Sequence, residues 1–409
     1  MKIPENVMNA IDQMFLCNSM IEHLACYQHF YEDLQECTFV VFSEREGTKL
    51  PEPLCTNFDN DFAIINIGCA DRFYAVNRQI YEEMIMTGRS DFGVDVCLEL
   101  DTQAVSYIKN IFVEYNQISD YAKMKNLIEY LQFPGLNYSG IPYLVENAAK
   151  KDVINKIECY KNIKSFMLFK SFKYSKFLQS GTCEYDKQEA EILLDADDLY
   201  NDIFSEKFAL AYKDFIKMQN ALYALLLKAI YIEFNHSNKS AQNKIMELFD
   251  FVNEYLGFIA ERELEICYYY FMHDEKTKKF FKRAQRNSKD ILNTINGMAW
   301  DLIHIRLVEW EFEFRPIDEV KFAIHVLLTF DNGLKEILQI NPIEQIAIYR
   351  GVTHSRLKRA WIDKIPGAKE KLLSEENKQR RRQTLEKMDV DELKAVLESE
   401  LLVICNDRK

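Results

Sequence analysis

The fold of this chain is decided by the stretch IHVLLTFDNGL, residues 324–334. Its apolar and β-branched residues run without a break into Asp331, and Asn332-Gly333 then predicts a turn. A continuous apolar run of this length is typical of a central strand that is buried on both faces of an α/β sheet. Asp331 would lie at the carboxyl edge of that sheet, where ligands bind in such folds. Aspartate is also a favoured helix N-cap, so Asp331 could instead cap a helix over residues 333–338.

A second strand is predicted to end in the same way. The stretch VDVCLELDT, residues 94–102, runs into Asp101 and then changes to a helical pattern with Val105 and Ile108 on one side. Parallel strands joined through helices would place Asp101 and Asp331 at the same sheet edge. Because two carboxylates held close together repel each other, a protein that keeps them together usually supplies a cation. The two strand ends therefore predict a shared cation site.

Further acidic residues lie in predicted helices. Glu146 lies among apolar neighbours, and Asp301 lies in the middle of a helix over residues 291–313. Acidic residues in such positions are most often exposed on the polar face of a helix. Each of these two residues could therefore be either a surface charge or part of a functional site. Glu309 is a weaker candidate in the same helix as Asp301. His304 has no second histidine at metal-ligand spacing, and we expect it to be a packed, hydrogen-bonded residue.

Composition narrows the class of protein. The 409 residues are 48% hydrophobic with only 12 glycines and 8 prolines, which predicts a mostly helical protein around a modest sheet. A net charge of −13 argues against bulk affinity for nucleic acid, although a locally basic surface is compatible with it. The ten cysteines are scattered without a CxxC pair, and we find no signal peptide and no membrane-length apolar run. We therefore expect a cytoplasmic protein with reduced cysteines and no membrane partner.

Two basic runs flank the acidic segments. Runs of this kind are often solvated helix faces, but their position here favours contacts with the phosphates of a nucleic acid. The residues that we predict as nucleic-acid contacts are Lys278, Lys279, Lys282, Arg283, Arg286, Arg380, Arg381 and Arg382.

The order of the four acidic elements resembles that of the PIN-domain nucleases, which include many toxin ribonucleases. In that family a first strand ends in Asp-Thr, a helical Glu and a helical Asp follow, and a Thr-x-Asp closes the motif. The corresponding residues here are Asp101-Thr102, Glu146, Asp301 and Thr329-Phe330-Asp331. The chain departs from the family pattern in three respects. Gln103 replaces the usual Asn or Ser, the helical region 151–290 is far larger than usual, and Asp301 lies farther from Asp331 than is common.

The resemblance implies a metal-dependent phosphodiesterase. It implies that Asp101, Glu146, Asp301 and Asp331 are catalytic residues and ligands to Mg²⁺ or Mn²⁺, which activates water for phosphodiester hydrolysis. It favours RNA over DNA as the substrate. A toxin or phage-defence role would follow only by analogy with the family.

The predicted fold class is α/β, helix-dominated overall, with a small parallel-type, PIN-like sheet, flanking helices and a large all-helical insertion. Strands are predicted at residues 38–42 and 62–67 and a helix at 74–86. The predicted parts are an N-terminal α/β segment joining the core (1–90), the two pieces of the PIN-like core (91–150 and 291–350), the insertion (151–290) and a basic helical tail (351–409).

A second hypothesis belongs to another functional class. The chain would then be a helical interaction or regulatory protein, including a degenerate nuclease fold without catalysis, in which the carboxylates are caps and surface charges. A protein partner bound through the insertion and assembly into a homo-oligomer are open under both hypotheses.

Overall fold

The computed structural model describes residues 3–50, 57–58, 61–90, 93–109, 126–130, 136–150, 153–180, 183–311, 314–316 and 320–406. Its strands are β1 (Cys37–Ser43), β2 (Thr48–Lys49), β3 (Asn57–Phe58), β4 (Ala63–Asn66), β5 (Arg72–Val76), β6 (Gly93–Leu100), β7 (Leu136–Ser139), β8 (Phe314–Pro316), β9 (Val320–Thr329), β10 (Ile343–Tyr349) and β11 (Val352–Leu357).

The helices up to residue 281 are α1 (Glu5–Leu16), α2 (Met20–His29), α3 (Tyr31–Leu34), α4 (Arg78–Thr87), α5 (Thr102–Lys109), α6 (126–130), α7 (Ile141–Ala149), α8 (Val153–Lys170), α9 (Tyr174–Ser180), α10 (Glu189–Ile203), α11 (Glu206–Ala211), α12 (Lys213–Asn235), α13 (Ala241–Phe251), α14 (Glu261–Phe271) and α15 (Glu275–Phe281). The later helices are α16 (Ile291–Trp310), α17 (Asn332–Leu338), α18 (Ala368–Leu373), α19 (Glu375–Lys387) and α20 (Val390–Asn406). A π-helical turn, Val252–Leu256, follows α13, and a 3₁₀ turn, Trp361–Lys364, follows β11.

The carboxylate sheet, as we call the sheet that contains the strands ending at Asp101 and Asp331, has the strand order β3-β4-β9-β6-β7, with β8 paired to β9. Strand β6 is parallel to β9, as predicted, and it is also parallel to β7, a strand that was not predicted. The pairs β3–β4, β4–β9 and β8–β9 are antiparallel, so the sheet is mixed rather than of the predicted parallel type. The molecule is a helix-dominated mixed α/β protein.

Strand β9 is a buried central strand. Ile324, Val326 and Leu328 on one face are fully buried, and Leu327 on the other is 1% exposed, which confirms the prediction from the apolar run. In the parallel register Leu100 of β6 lies opposite Leu328. The two strands therefore reach their carboxyl ends side by side.

A second, antiparallel sheet was not predicted. Its order is β11-β10-β1-β5-β2, so strands near the N-terminus pair with strands from residues 343–357. Residues of one face, including Phe39 and Tyr74, form a small core with Val7 and Ile11 of α1, and Val40 of β1 belongs to the main core. This sheet holds the N-terminal helices against the rest of the molecule.

Among the local predictions, two strands are confirmed and two helices need correction. Strand β4 confirms the strand predicted at 62–67, and β1 confirms the one at 38–42. The helix predicted over 74–86 begins only at Arg78, because Asn77 caps it and residues 72–76 pair in the second sheet as β5. Strand β11 occupies the start of the tail that was predicted to be helical.

The region between residues 153 and 290 is helical, as predicted. Within its described residues it contributes no strand to either sheet. Helix α16 is apolar on almost every side and packs between α12 and β9, so its polar residues Asp301 and His304 are brought close to the carboxylate sheet. No helix in the described ranges is both long and apolar enough to cross a membrane.

Candidate carboxylate site

Asp101 and Asp331 meet at Thr329. The backbone N–H of Asp101 donates to the carbonyl of Leu328, at 3.3 Å, which continues the pairing of β6 with β9. The Thr329 hydroxyl donates to the Asp101 carboxylate and accepts from the backbone N–H of Asp331, at 3.0 Å. The structure therefore brings together the two strand ends that the sequence placed at one sheet edge.

Both aspartates also cap helices. Oδ1 of Asp331 accepts from the backbone N–H groups of Gly333, at 2.6 Å, and Leu334, at 3.0 Å. Asp101 Oδ1 accepts from Ala104, at 2.7 Å, in the first turn of α5. The cap interpretation of Asp331 is thus confirmed, and Asn332-Gly333 begins α17 rather than forming a turn. A cap uses one carboxylate oxygen, so the other oxygen of Asp331 is available to a further group.

Arg283 contacts that further oxygen. Its guanidinium lies 3.1 Å from Oδ2 of Asp331 and 2.8 Å from Oδ2 of Asp301, so it bridges a strand end and a helix. Helix α15 approaches α17 closely at Gly333, where an added Cβ would lie only 3.0 Å from Cα of Phe280. This close approach brings Arg283, which follows α15, within reach of Asp331. Arg283 was predicted to contact nucleic acid, but in this conformation it neutralises the site's carboxylates.

Glu146 lies on the other side of His304. Nε2 of His304 is 3.2 Å from Oε2 of Glu146, Lys150 Nζ is 2.7 Å from Oε1, and the Thr102 hydroxyl donates a short hydrogen bond to Oε2. Burial alone would raise the pKa of Glu146, but His304 and Lys150 hold that pKa at about 2. Burial opposes protonation of His304, yet Glu146, Asp301 and Asp101 raise its pKa above the ordinary value. The pair therefore favours a carboxylate beside an imidazolium.

The two aspartates nearest the centre are hard to ionise. Burial is the main reason that the pKa of Asp101 rises to about 6, since hydrogen bonds from Thr329 and Ala104 oppose the rise and Asp331 adds to it. Burial likewise raises the pKa of Asp301 to about 7, with Asp331 adding to the effect and Arg283 opposing it. Such shifts are typical of sites that bind a further cation or hold a proton.

The ligand types suit a hard divalent cation, but the ligands are not gathered to coordination distance. Carboxylate and hydroxyl oxygens are what Mg²⁺ and Mn²⁺ prefer, and Mg²⁺ usually needs only one or two carboxylates with water. Among the described residues, however, no three of the predicted ligands have their oxygens within 4.8 Å of one another. Arg283 lies between two of them. A hydrated ion held by these oxygens would require Arg283 to move away from Asp301 and Asp331.

In the described ranges, the one group of three possible metal-binding residues whose ligand atoms lie close together is elsewhere, inside the carboxylate sheet. Cys97 and Glu99 of β6 and His325 of β9 bring their ligand atoms within 4.8 Å of one another, and His325 Nδ1 is 2.8 Å from Glu99 Oε1. Thiol and imidazole suit softer ions than Mg²⁺ or Mn²⁺. This group of three residues, in which Cys97 is only partly buried, is not a site suited to the predicted Mg²⁺ or Mn²⁺.

Glu309, the weaker candidate, belongs to a different network. It pairs with Arg262 at very short range and with Arg306, at 3.0 Å, while Arg306 also binds Glu263, at 2.7 Å. This buried cluster joins α14 to α16. Its role is to stabilise that packing.

The predicted nucleic-acid contacts divide into two groups. Lys278, Lys279 and Lys282 are exposed, on α15 or immediately after it. Arg381 is only 7% exposed and donates to Asn253 Oδ1, at 2.6 Å, so in this conformation it is not presented to a phosphate at the surface. Arg380 pairs with Glu254 and Glu376, whereas Arg382 is exposed. Of the predicted contacts, Arg283 is the one that pairs with carboxylates of the candidate site.

Three residues of the carboxylate site were not assigned to that site from the sequence. His304 lies one turn after Asp301 and Lys150 one turn after Glu146, so helical spacing could have indicated both. Arg283 lies far from its carboxylate partners along the chain, and no local pattern predicts that contact. Comparison of the chain with protein-family models, with curated proteins and with solved structures finds no match.

Proposed function

We propose that this chain is a metal-dependent phosphodiesterase of PIN-like architecture that cleaves nucleic acid, RNA in preference to DNA. The observation that supports it most is that carboxylates from four separate elements, Asp101, Glu146, Asp301 and Asp331, are linked through Thr329, Arg283 and His304 beside the carboxyl ends of β6 and β9. Ionisation of Asp101 and Asp301 is disfavoured where they lie, and the cap that Asp101 supplies to α5 would be supplied as well by asparagine, so the cap does not require these carboxyl groups.

The residues have distinct parts in this proposal. Asp101, Asp301 and Asp331 hold Mg²⁺ or Mn²⁺, which when bound neutralises the phosphate and activates water. Glu146 positions His304 through the 3.2 Å contact. Arg283 neutralises Asp301 and Asp331 without the ion, and its planar guanidinium is suited to bind a phosphate once displaced.

Cleavage with and without metal tests the proposal. The purified chain would be treated with EDTA and then given Mn²⁺, Mg²⁺ or buffer, with labelled single-stranded RNA and DNA of one sequence as substrates. We expect cleavage of RNA only after metal is restored, and faster than cleavage of DNA. Equal rates in EDTA and Mn²⁺, or no cleavage of either strand, would overturn it.

One observation favours a second candidate, a regulatory protein that binds nucleic acid without cleaving it. Arg283 bridges Asp301 and Asp331, and in the described part of the chain the predicted ligands are not gathered around one point. In that case the arginine would be a permanent replacement for the ion. RNA binding without cleavage, together with no binding of Mn²⁺, would support this candidate.

A further inference from the structure

A pocket of about 890 Å³ is lined in part by Lys282 and Arg286, which stand on either side of Arg283 in the chain. It is bounded by the C-terminal ends of α12 and α14 and by α15 with the turn that follows it. Its volume lies at the upper end of the range for small-molecule sites, about 300–1,000 Å³, and is large enough for a nucleotide.

The pocket carries an excess of positive charge. Of its four Lys and Arg residues, Lys278 pairs with Glu275 and Lys279 with Glu336, but within the described ranges Lys282 and Arg286 have no carboxylate partner. Two carboxylates, Glu233 and Asp274, also line it, and the second oxygen of Glu233 lies 3.8 Å from Nε2 of His273, another lining residue. Glu233 binds the buried Lys244, at 2.9 Å, and Asp274 caps α15 by accepting from the backbone N–H of Lys276. An anion is therefore the complementary ligand.

The same pocket presents aromatic surface. Phe234 and Tyr270 are both partly exposed, and Arg286 lies over the Phe234 ring, 5.1 Å from its centroid. Tyr270 stacks on Phe281 with 3.9 Å between centroids, which fixes its ring. Bases stack on such rings and on arginine guanidinium groups whatever their identity. Phosphate-binding cations beside aromatic rings are complementary to a nucleotide.

The pocket is continuous with the carboxylate site along the chain. Lys282 and Arg286 line the pocket, while Arg283 between them reaches Asp301 and Asp331. A strand that binds along this turn would contact both the pocket cations and the arginine that pairs with the carboxylates.

We propose that this pocket binds one nucleotide of a single-stranded RNA substrate, with its phosphate on Lys282 and Arg286 and its base against Phe234 and Tyr270. The proposal rests on the proposed function, because the strand is the substrate of the carboxylate site. A free nucleotide has the same chemistry, so the test includes one.

Binding is measured apart from cleavage, on the Asp101→Asn chain in EDTA, by anisotropy of a short labelled RNA. Lys282→Glu should weaken binding at least about tenfold and lower the log–log salt slope by roughly 0.7. Phe234→Leu should weaken it about fivefold with the slope unchanged, because it removes stacking and not charge. Lys289→Glu reverses an exposed lysine outside the pocket and is the matched control, with an expected change of less than about twofold.

The outcomes separate the pocket from the catalytic proposal. The proposed role of the pocket is overturned if a normally folded Lys282→Glu chain binds RNA as the wild type does, or if both lysine variants weaken binding equally. This holds even if wild-type cleavage persists. A mononucleotide that binds as tightly as the RNA also overturns it, since the pocket would then serve a free nucleotide. Pocket-dependent binding without any cleavage by the wild-type chain supports the pocket and overturns the proposed function.

Discussion

At the level of single residues, Asp331 shows that a helix cap and a charged site are not exclusive alternatives. One oxygen accepts from Gly333 and Leu334, and the other contacts Arg283. The cap explains why aspartate follows the strand, but asparagine would cap as well. Only the second contact needs the charge.

Substitution of Asp331 separates these two roles. Asp331→Asn should fold with an unchanged melting temperature, because the capping oxygen remains, and should cleave RNA about 100-fold more slowly, because the charge is lost. Asp331→Ala should in addition lose about 1 kcal/mol of unfolding free energy with the cap. Denaturant unfolding and initial cleavage rates measure both. An Asp331→Asn chain with the wild-type rate would leave the residue a cap only.

Asp301 predicts a pH dependence of stability. Its pKa is raised to about 7 in the folded chain, so its contribution to stability is full below about pH 4 and is lost as the pH rises through about 7. Asp301→Asn stays neutral at every pH. In EDTA its melting temperature relative to wild type should therefore be higher at pH 8 than at pH 5. A relative difference that is constant, or that increases toward low pH, would contradict the raised pKa.

At the level of elements, the sequence predicted those with a strong local pattern. The apolar runs before Asp101 and Asp331 became β6 and β9, and the long 3.6-residue periodicity after 151 became helices. The helix predicted for residues 74–76 was wrong because their short apolar pattern suits a strand as well as a helix, and pairing of β5 with β1 makes them a strand. Spacing along the helix placed Glu309 on a face near that of Asp301. Spacing could not show that Glu309 instead contacts Arg262.

The buried ion cluster between α14 and α16 should be structural. Glu309→Gln leaves Arg262 and Arg306 without a full counter-charge in a buried place, so we expect a loss of about 3 kcal/mol of unfolding free energy. Cleavage per folded molecule should not change. Glu275→Gln, which removes an exposed partner of Lys278, is the control and should leave stability as it is. A stable Glu309→Gln chain with reduced cleavage would return Glu309 to the active site.

At the level of the whole molecule, the distant pairings lay beyond prediction from the sequence. Strand β1 pairs with β10, and His23 contacts Gln345, although these residues are more than three hundred positions apart. Periodicity shows which residues are buried but not which strand lies next to another. The convergence of the carboxylates was predictable only because two strand ends of the same kind flanked the helical region.

Metal should stabilise the whole chain. An ion that binds only the folded carboxylates adds about 2.7 kcal/mol at one hundred times its dissociation constant. Mn²⁺ should therefore raise the melting temperature of the wild-type chain, and more at pH 8 than at pH 5, where Asp301 is protonated. Calorimetry against EDTA measures the shift, with Asp101→Asn as the variant expected to lose most of it. No shift at millimolar Mn²⁺ would contradict a metal site here.

The central claim is that Asp101, at the end of β6, is required for cleavage through its charge. The most direct measurement is the single-turnover rate of RNA cleavage in Mn²⁺ for the wild-type, Asp101→Asn and Asp290→Asn chains. Asp290 caps α16 from an exposed position, so its change to asparagine controls for the substitution itself. We predict that Asp101→Asn is slower by about 100-fold or more and that Asp290→Asn cleaves at the wild-type rate. A folded Asp101→Asn chain that cleaves as fast as the wild type would contradict the claim.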